Sequence, residues 1–242
     1  MRITIQSDTD TIALSDHWHN PRHIWGIRKN GIKGLLGTPS YKESFEAKPQ
    51  QDGEYWPSRL TQKSRDITID CIAKWLTSIE SANATDRICD LWGRPLTITV
   101  HDAHGKRTLT GALADDPEPT MRWTEQGFEF TLIVHCPDPH KYGDWISYPA
   151  SNGLMQVENA GNMESWPVVR ASGVSRLTLS LGGQTVVWSG SAEALTLDFE
   201  SMQPSQGLVS VDDAFAIPPG RSSIPVSIDA GQLSMLVRPC WK

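Results

Sequence analysis

The chain has 242 residues and a mass of 26.8 kDa, room for one large or two modest domains. Hydrophobic residues make up 38%, with 19 glycines, a globular composition that excludes collagen-like repeats and wholesale disorder. Twenty-eight acidic residues against 22 basic ones give a net charge of −6, which argues against a sequence-reading nucleic-acid binder, whose affinity rests on neutralising phosphates.

In chain order, Arg2–Ile5 begins a strand, and residues 41–56 form a polar stretch with turn residues at Pro49 and Asp52-Gly53. That stretch reads as an extended hairpin or arm outside the core. Residues 66–74 place Ile67, Ile69 and Cys71 on one face of a strand. Over residues 81–92 the period changes: Ile88, Leu91 and Trp92 fall at i, i+3, i+4, the stripe of one short helix, with Asn83 as N-cap and Gly93 and Pro95 ending it. Strands resume at residues 96–100, 106–113 and 128–135. The turn chemistry of residues 148–153 marks a boundary, giving an N-terminal domain over 1–148 and a C-terminal one over 149–242. Composition supports the cut, since 37 of the first 148 residues are charged against 13 of the last 94.

The second part reads as all β. Leu177–Leu181 alternates, Gly182-Gly183 supplies a turn, and Val186-Val187-Trp188 returns as a hairpin. Residues 195–199, 224–228 and 233–237 continue the series, with Pro225 suggesting an edge strand. Such spacing predicts an antiparallel sandwich. The fold class is therefore mainly β: an α+β N-terminal domain with one short helix, then a β-sandwich.

Residues with chemical potential do not assemble into a site. His17, His19 and His23 could face one way but lack Cys or paired carboxylate partners, and His101 and His104 flank a hairpin tip, so no metal is expected. Asp115, Asp116 and Glu118 lie among prolines in a loop of solvated charge. The Gly31, Gly34, Gly37 run lacks the phosphate-loop ending and reads as turns. Neither a nucleophile elbow nor a dinucleotide fingerprint occurs, so no catalytic residue and no cofactor is expected. Cys71, Cys89, Cys136 and Cys240 could pair in three ways, but a chain of this size needs no staples, and buried free thiols are expected. No run approaches the ~18 apolar residues of a membrane span, and residues 1–16 lack a signal-peptide core; the expectation is a soluble chain made in the cytoplasm, with no membrane partner.

Ten tryptophans are distributed along the whole length. Trp75, Trp92 and Trp188 lie on patterned elements and read as core. Trp18, Trp25 and Trp56, with Tyr41, Phe45 and Tyr55 of the arm, lie in irregular polar context and are the interface candidates. Residue chemistry alone leads to a β-rich binder or assembly unit.

Residues 128–142 (Phe-Glu-Phe-Thr-Leu-Ile-Val-His-Cys-Pro-Asp-Pro-His-Lys-Tyr) resemble the last strand and exit of the N-terminal domain of siphophage distal tail proteins. Asp52-Gly53 and then Arg65-Asp66-Ile-Thr-Ile look like that family's arm and returning strand. Asn159-Ala-Gly161-Asn162 through Trp166-Pro167 is similar to the opening of its galectin-like C-terminal sandwich, and Pro218-Pro219-Gly220 and Arg238-Pro-Cys-Trp241 fit its closing strands. His140-Lys141 departs from the more usual aromatic.

The resemblance implies a non-enzymatic structural hub in the virion tail tip, assembled in the host cytoplasm. It implies a homo-hexameric ring joining the tail tube protein to the tail-associated hub or fibre protein, with a receptor-binding protein and the tape-measure protein as further partners and a channel through which DNA only passes. A carbohydrate-binding or adhesion β-sandwich module is the alternative, and a hydrolase the third reading.

Overall fold

The computed structural model describes residues 1–16, 24–74, 77–121 and 126–242. It divides into two compact units, Met1–Lys141 and Tyr142–Lys242. The compositional step near 148 falls inside a strand of the second unit. Trp18, Trp75 and the histidines 17, 19 and 23 lie outside the described residues.

The first unit is a barrel. Its strands are β1 (Arg2–Gln6), β2 (Thr11–Ser15), β3 (Trp25–Lys33) and β4 (Arg65–Lys74), then helix α1 (Ser78–Cys89), β5 (Leu96–Asp102), β6 (Gly105–Leu113), β7 (Thr120–Met121) and β8 (Gly127–Cys136). Hydrogen bonding runs β6-β5-β1-β2-β3-β4-β8-β7, and an additional β6–β8 pairing closes the ring of strands. β4 and β8 pair over ten residues without a break, from Arg65 opposite Cys136 to Lys74 opposite Gly127. Strand alternation turns Ile3, Ile5, Ile67, Ile69, Cys71, Phe130 and Leu132 inward, where they form one core.

Helix α1 adds Ala84 and Ile88 to that core, followed by Leu91. It begins earlier than the apolar stripe suggests, because Thr77 and Glu80 form a capping box in which each side chain binds the other's backbone N–H. Trp92 is a correction: it is 55% exposed. The helix has ended at Cys89, so the i+4 relation to Ile88 no longer sets its direction.

A two-residue strand, β9 (Lys141–Tyr142), spans the unit boundary. The second unit holds β10 (Ile146–Pro149), β11 (Leu154–Asn159), β12 (Val168–Ser172), β13 (Val174–Leu181), β14 (Gln184–Ala192), β15 (Leu195–Asp198), β16 (Gln203–Pro204), β17 (Leu208–Asp212), β18 (Gly220–Ile228), β19 (Gln232–Val237) and β20 (Cys240–Trp241). Two five-stranded sheets result, in the orders β10-β19-β12-β15-β16 and β11-β18-β13-β14-β17. Their pairings are antiparallel. Met155, Leu177, Leu179, Val186 and Trp188 from one sheet meet Val169, Leu195, Leu197, Met235 and Val237 from the other, forming the core of a sandwich. Trp188 is wholly buried, and its indole N–H donates to the Gln206 carbonyl at 2.7 Å. The β13–β14 turn is Gly182-Gly183, both at positive φ, the geometry a two-residue hairpin needs.

Three further expectations are corrected. β18, which contains Pro225, lies between β11 and β13 and is not an edge strand. Its ladder with β13 stops at Val226, so the missing proline N–H breaks nothing there. Gly31 belongs to β3, where a Cβ would sit 2.8 Å from the Asp70 carbonyl oxygen, so it serves close strand approach and not a turn. Cys71, Cys136 and Cys240 are buried and in no disulfide, but Cys89 is exposed at the end of α1.

Candidate functional site

Between β3 and β4 the chain leaves the barrel and returns as an irregular antiparallel hairpin. Lys63 N–H donates to the Ser40 carbonyl and Lys42 N–H to that of Thr61, both at 2.9 Å; Tyr55 N–H donates to Glu46 at 2.8 Å and Lys48 N–H to Gly53 at 3.1 Å. The Glu43 carboxylate accepts both the N–H and the hydroxyl of Thr61, and these bonds hold its pKa below the usual carboxylate range. The tip, Pro49 to Gly53, turns through Gln50 and Gly53 at positive φ.

Along this arm Tyr41, Phe45, Tyr55 and Trp56 are all exposed, Trp56 at 78%. Phe45 and Trp56 face each other across the hairpin with ring centroids 5.9 Å apart, and the Lys48 ammonium lies 6.0 Å from the Tyr55 ring. Four of the six interface candidates thus share one projecting element. Trp25 does not join them. It opens β3, is 9% exposed, and packs edge-on against Phe128 and Phe130 at 6.1 and 5.9 Å, with the Arg87 guanidinium over its other side at 5.6 Å. Irregular sequence context around it concealed a core position. Trp18 lies outside the described residues.

The root of the arm carries charge that pattern reading did not single out. Arg65, the first residue of β4, is 1% exposed. Its guanidinium donates to the carbonyls of Gly34, Leu35 and Gly37, where the arm departs, and to that of Pro139 at 2.7 Å. The buried Lys141 ammonium donates to the Leu35 carbonyl at 3.1 Å. Burial, then the charges of Arg65 and Arg107, push the Lys141 pKa down to about 8. Gly34 permits the departure: at φ +76° it lies so close to β4 that a Cβ would fall 1.9 Å from the Asp66 carbonyl oxygen. The arm is therefore fixed at its root by two buried cations.

At the other end of β4 sits α1. Arg87 makes a bidentate pair with Asp10 at 2.7 and 2.9 Å, and Arg94 bridges Asp8 and Asp90, tying the helix to the β1–β2 turn. Among the described residues no three His, Cys, Asp or Glu side chains are placed to hold a metal ion.

In the second unit, buried Asn159 donates to the carbonyls of Met163 and Ile217 and accepts from the N–H groups of Gly161 and Cys240. Arg238 stacks on Tyr142 at 3.6 Å and Trp145 at 4.8 Å.

No family model matches the sequence, and no curated protein matches it. Solved structures do. The Dit protein of phage SPP1, a paradigm of the hub adsorption apparatus in phages that infect Gram-positive bacteria, superposes over 99% of both chains with a TM-score of 0.70 and 14% identity. The chain has the Dit fold. A component of the phage p2 baseplate in its activated conformation with Ca matches over 98% of this chain and 97% of its own, with a TM-score of 0.56 and 8% identity. The corresponding structure with Sr gives 0.52 at the same identity. The likeness to distal tail proteins read from residues 52–69, 128–142, 159–167, 218–220 and 238–241 is thus borne out at the level of the fold, at 14% identity or less.

Proposed function

We propose that this chain is a structural component of the tip of a long, non-contractile phage tail. Six copies close into a ring that joins the tail tube protein to the hub or receptor-binding apparatus and leaves a channel for DNA. The observation that supports this reading is the extent of the match: both units, in one order, over 99% of this chain and of the SPP1 hub protein. An adhesion module built on the sandwich alone would not require the barrel and its arm. The arm offers what a ring subunit needs, a cluster of aromatic anchors on a projecting element with a rigid base.

Multi-angle light scattering on concentrated protein, with tube or hub partner added, tests the reading. Six copies of the 26.8-kDa chain come to about 161 kDa, the mass expected if a head-to-tail contact closes. A persistent monomer with both partners present overturns it.

A further inference from the structure

The Lys141 ammonium is destabilising where it lies. Lys141 is 6% exposed, and among the described residues its Nζ donates to the Leu35 carbonyl alone, although an ammonium has three N–H donors. Burial first, then the charges of Arg65 and Arg107, lower its pKa to about 8, with Asp102 acting the other way. A methionine would fill similar space without the penalty of a buried charge. A cation held where an apolar side chain would be at least as stable is what a binding site requires.

Lys141 lines a cleft of about 270 Å³ within the first unit. Strand pairing builds its walls. Val100 of β5 stands directly opposite Arg107 of β6, so both side chains leave one face, and Asp102, two residues after Val100, joins them. His104 comes from the turn of that hairpin, and Leu35 and Leu36 from the segment where the arm departs. Asp102 is there for the turn, since its carboxylate accepts the His104 N–H at 2.8 Å. Arg65 does not line the cleft but shares the Leu35 carbonyl with Lys141, and its buried Nη2 has no hydrogen-bond partner among the described residues. Lys141, Arg65 and Arg107 against Asp102 leave a surplus of two positive charges.

We propose that this cleft binds one small divalent oxyanion, of the size and charge of sulfate or phosphate. Its two negative charges match the surplus, and its oxygens accept from the Lys141 ammonium and the Arg107 guanidinium. The volume sets the scale: pockets for drug-sized ligands run from ~300 to 1,000 Å³, whereas a tetrahedral ion fits here with a few waters of about 30 Å³ each. Leu35, Leu36 and Val100 supply apolar walls, which strengthen such charge-assisted bonds. The site belongs to the first unit alone and does not depend on the ring reading.

Equilibrium dialysis of the full chain against labelled sulfate, with ionic strength held constant by chloride, tests the assignment. One sulfate should bind per chain with a Kd of about 1 mM. Lys141→Met should weaken binding at least ~tenfold while keeping the wild-type circular dichroism spectrum, and Arg107→Gln should weaken it less. Asp102→Asn keeps the acceptor for the His104 N–H and removes the opposing charge, so it should tighten binding. Sulfate stays divalent between about pH 7 and 9, so loss of the Lys141 proton near pH 8 should lower the wild-type affinity about tenfold over that range, a dependence the Lys141→Met variant should lack. The absence of saturable binding overturns the proposal, and so does acetate binding as well as sulfate, which would make this a site for a single carboxylate. If Lys141→Met binds sulfate like wild type, or Asp102→Asn weakens it, the ion lies elsewhere and the assignment fails.

Discussion

Asn159 illustrates how one side chain can serve several segments at once. Its amide binds the carbonyls of Met163 and Ile217 and the N–H groups of Gly161 and Cys240, so the end of β11 is stitched to the last strand of the chain. Gly161 lets the two backbones approach, since a Cβ there would fall 1.9 Å from the Cys240 carbonyl oxygen. Replacing Asn159 by Leu leaves these buried groups unsatisfied and should cost about 2–4 kcal/mol, read as a lower urea midpoint for the second unit. Lys141 makes the opposite kind of contribution. Its folded pKa of about 8 lies below the ordinary 10.5, so between those values the unfolded chain holds the proton more tightly. The cost of burying the ammonium is therefore present in full below pH 8 and is relieved as pH rises toward 10.5, a gain of about 3 kcal/mol. Urea midpoints of the Lys141→Met variant should lack this rise and should match or exceed wild type at pH 7.

At the scale of elements, what was legible in the sequence follows burial on one face. The alternating strands around residues 66–74, 96–100, 128–135 and 177–188 are recognisable because water on one side and core on the other imposes a two-residue period. β3 escapes that reading: its register with β4 shifts between Ile27 and Ile32, Asn30 takes a positive φ, and alternation is lost. The same irregularity made Trp25 look like surface. Substituting Trp25 by Ala should cost about 3–5 kcal/mol of stability, as core removal does. The paired change Tyr55→Ala and Trp56→Ala should leave the melting temperature within a degree or two while abolishing assembly. Calorimetry on the two variants separates core from interface. The arm root was illegible for a different reason: Arg65 and Lys141 are 76 residues apart, and nothing in either neighbourhood announces a buried cation.

For the whole molecule, charge sets an expectation about DNA. Six chains at −6 carry about −36, and counterion release would hold a duplex only against a basic lining. The 17 basic residues among the first 148 are interspersed with 20 acidic ones and never run beyond two in succession. An assembled ring should therefore show no micromolar binding of short duplex DNA in a fluorescence titration at about 50 mM salt, where electrostatic binding is strong. Salt-sensitive micromolar affinity would reopen a nucleic-acid-binding role.

The unbroken β4 ladder has a mechanical meaning. Arm root and helix are joined by a single ten-residue strand, flanked by β3 on one side and by β8 along its entire length. A pull on the arm reaches the helix along the strand axis, so the cross-strand hydrogen bonds take the load together in shear and do not peel apart in turn. In the proposed ring, a pull applied to the arm would thus load the whole β4–β8 ladder before it could open the barrel.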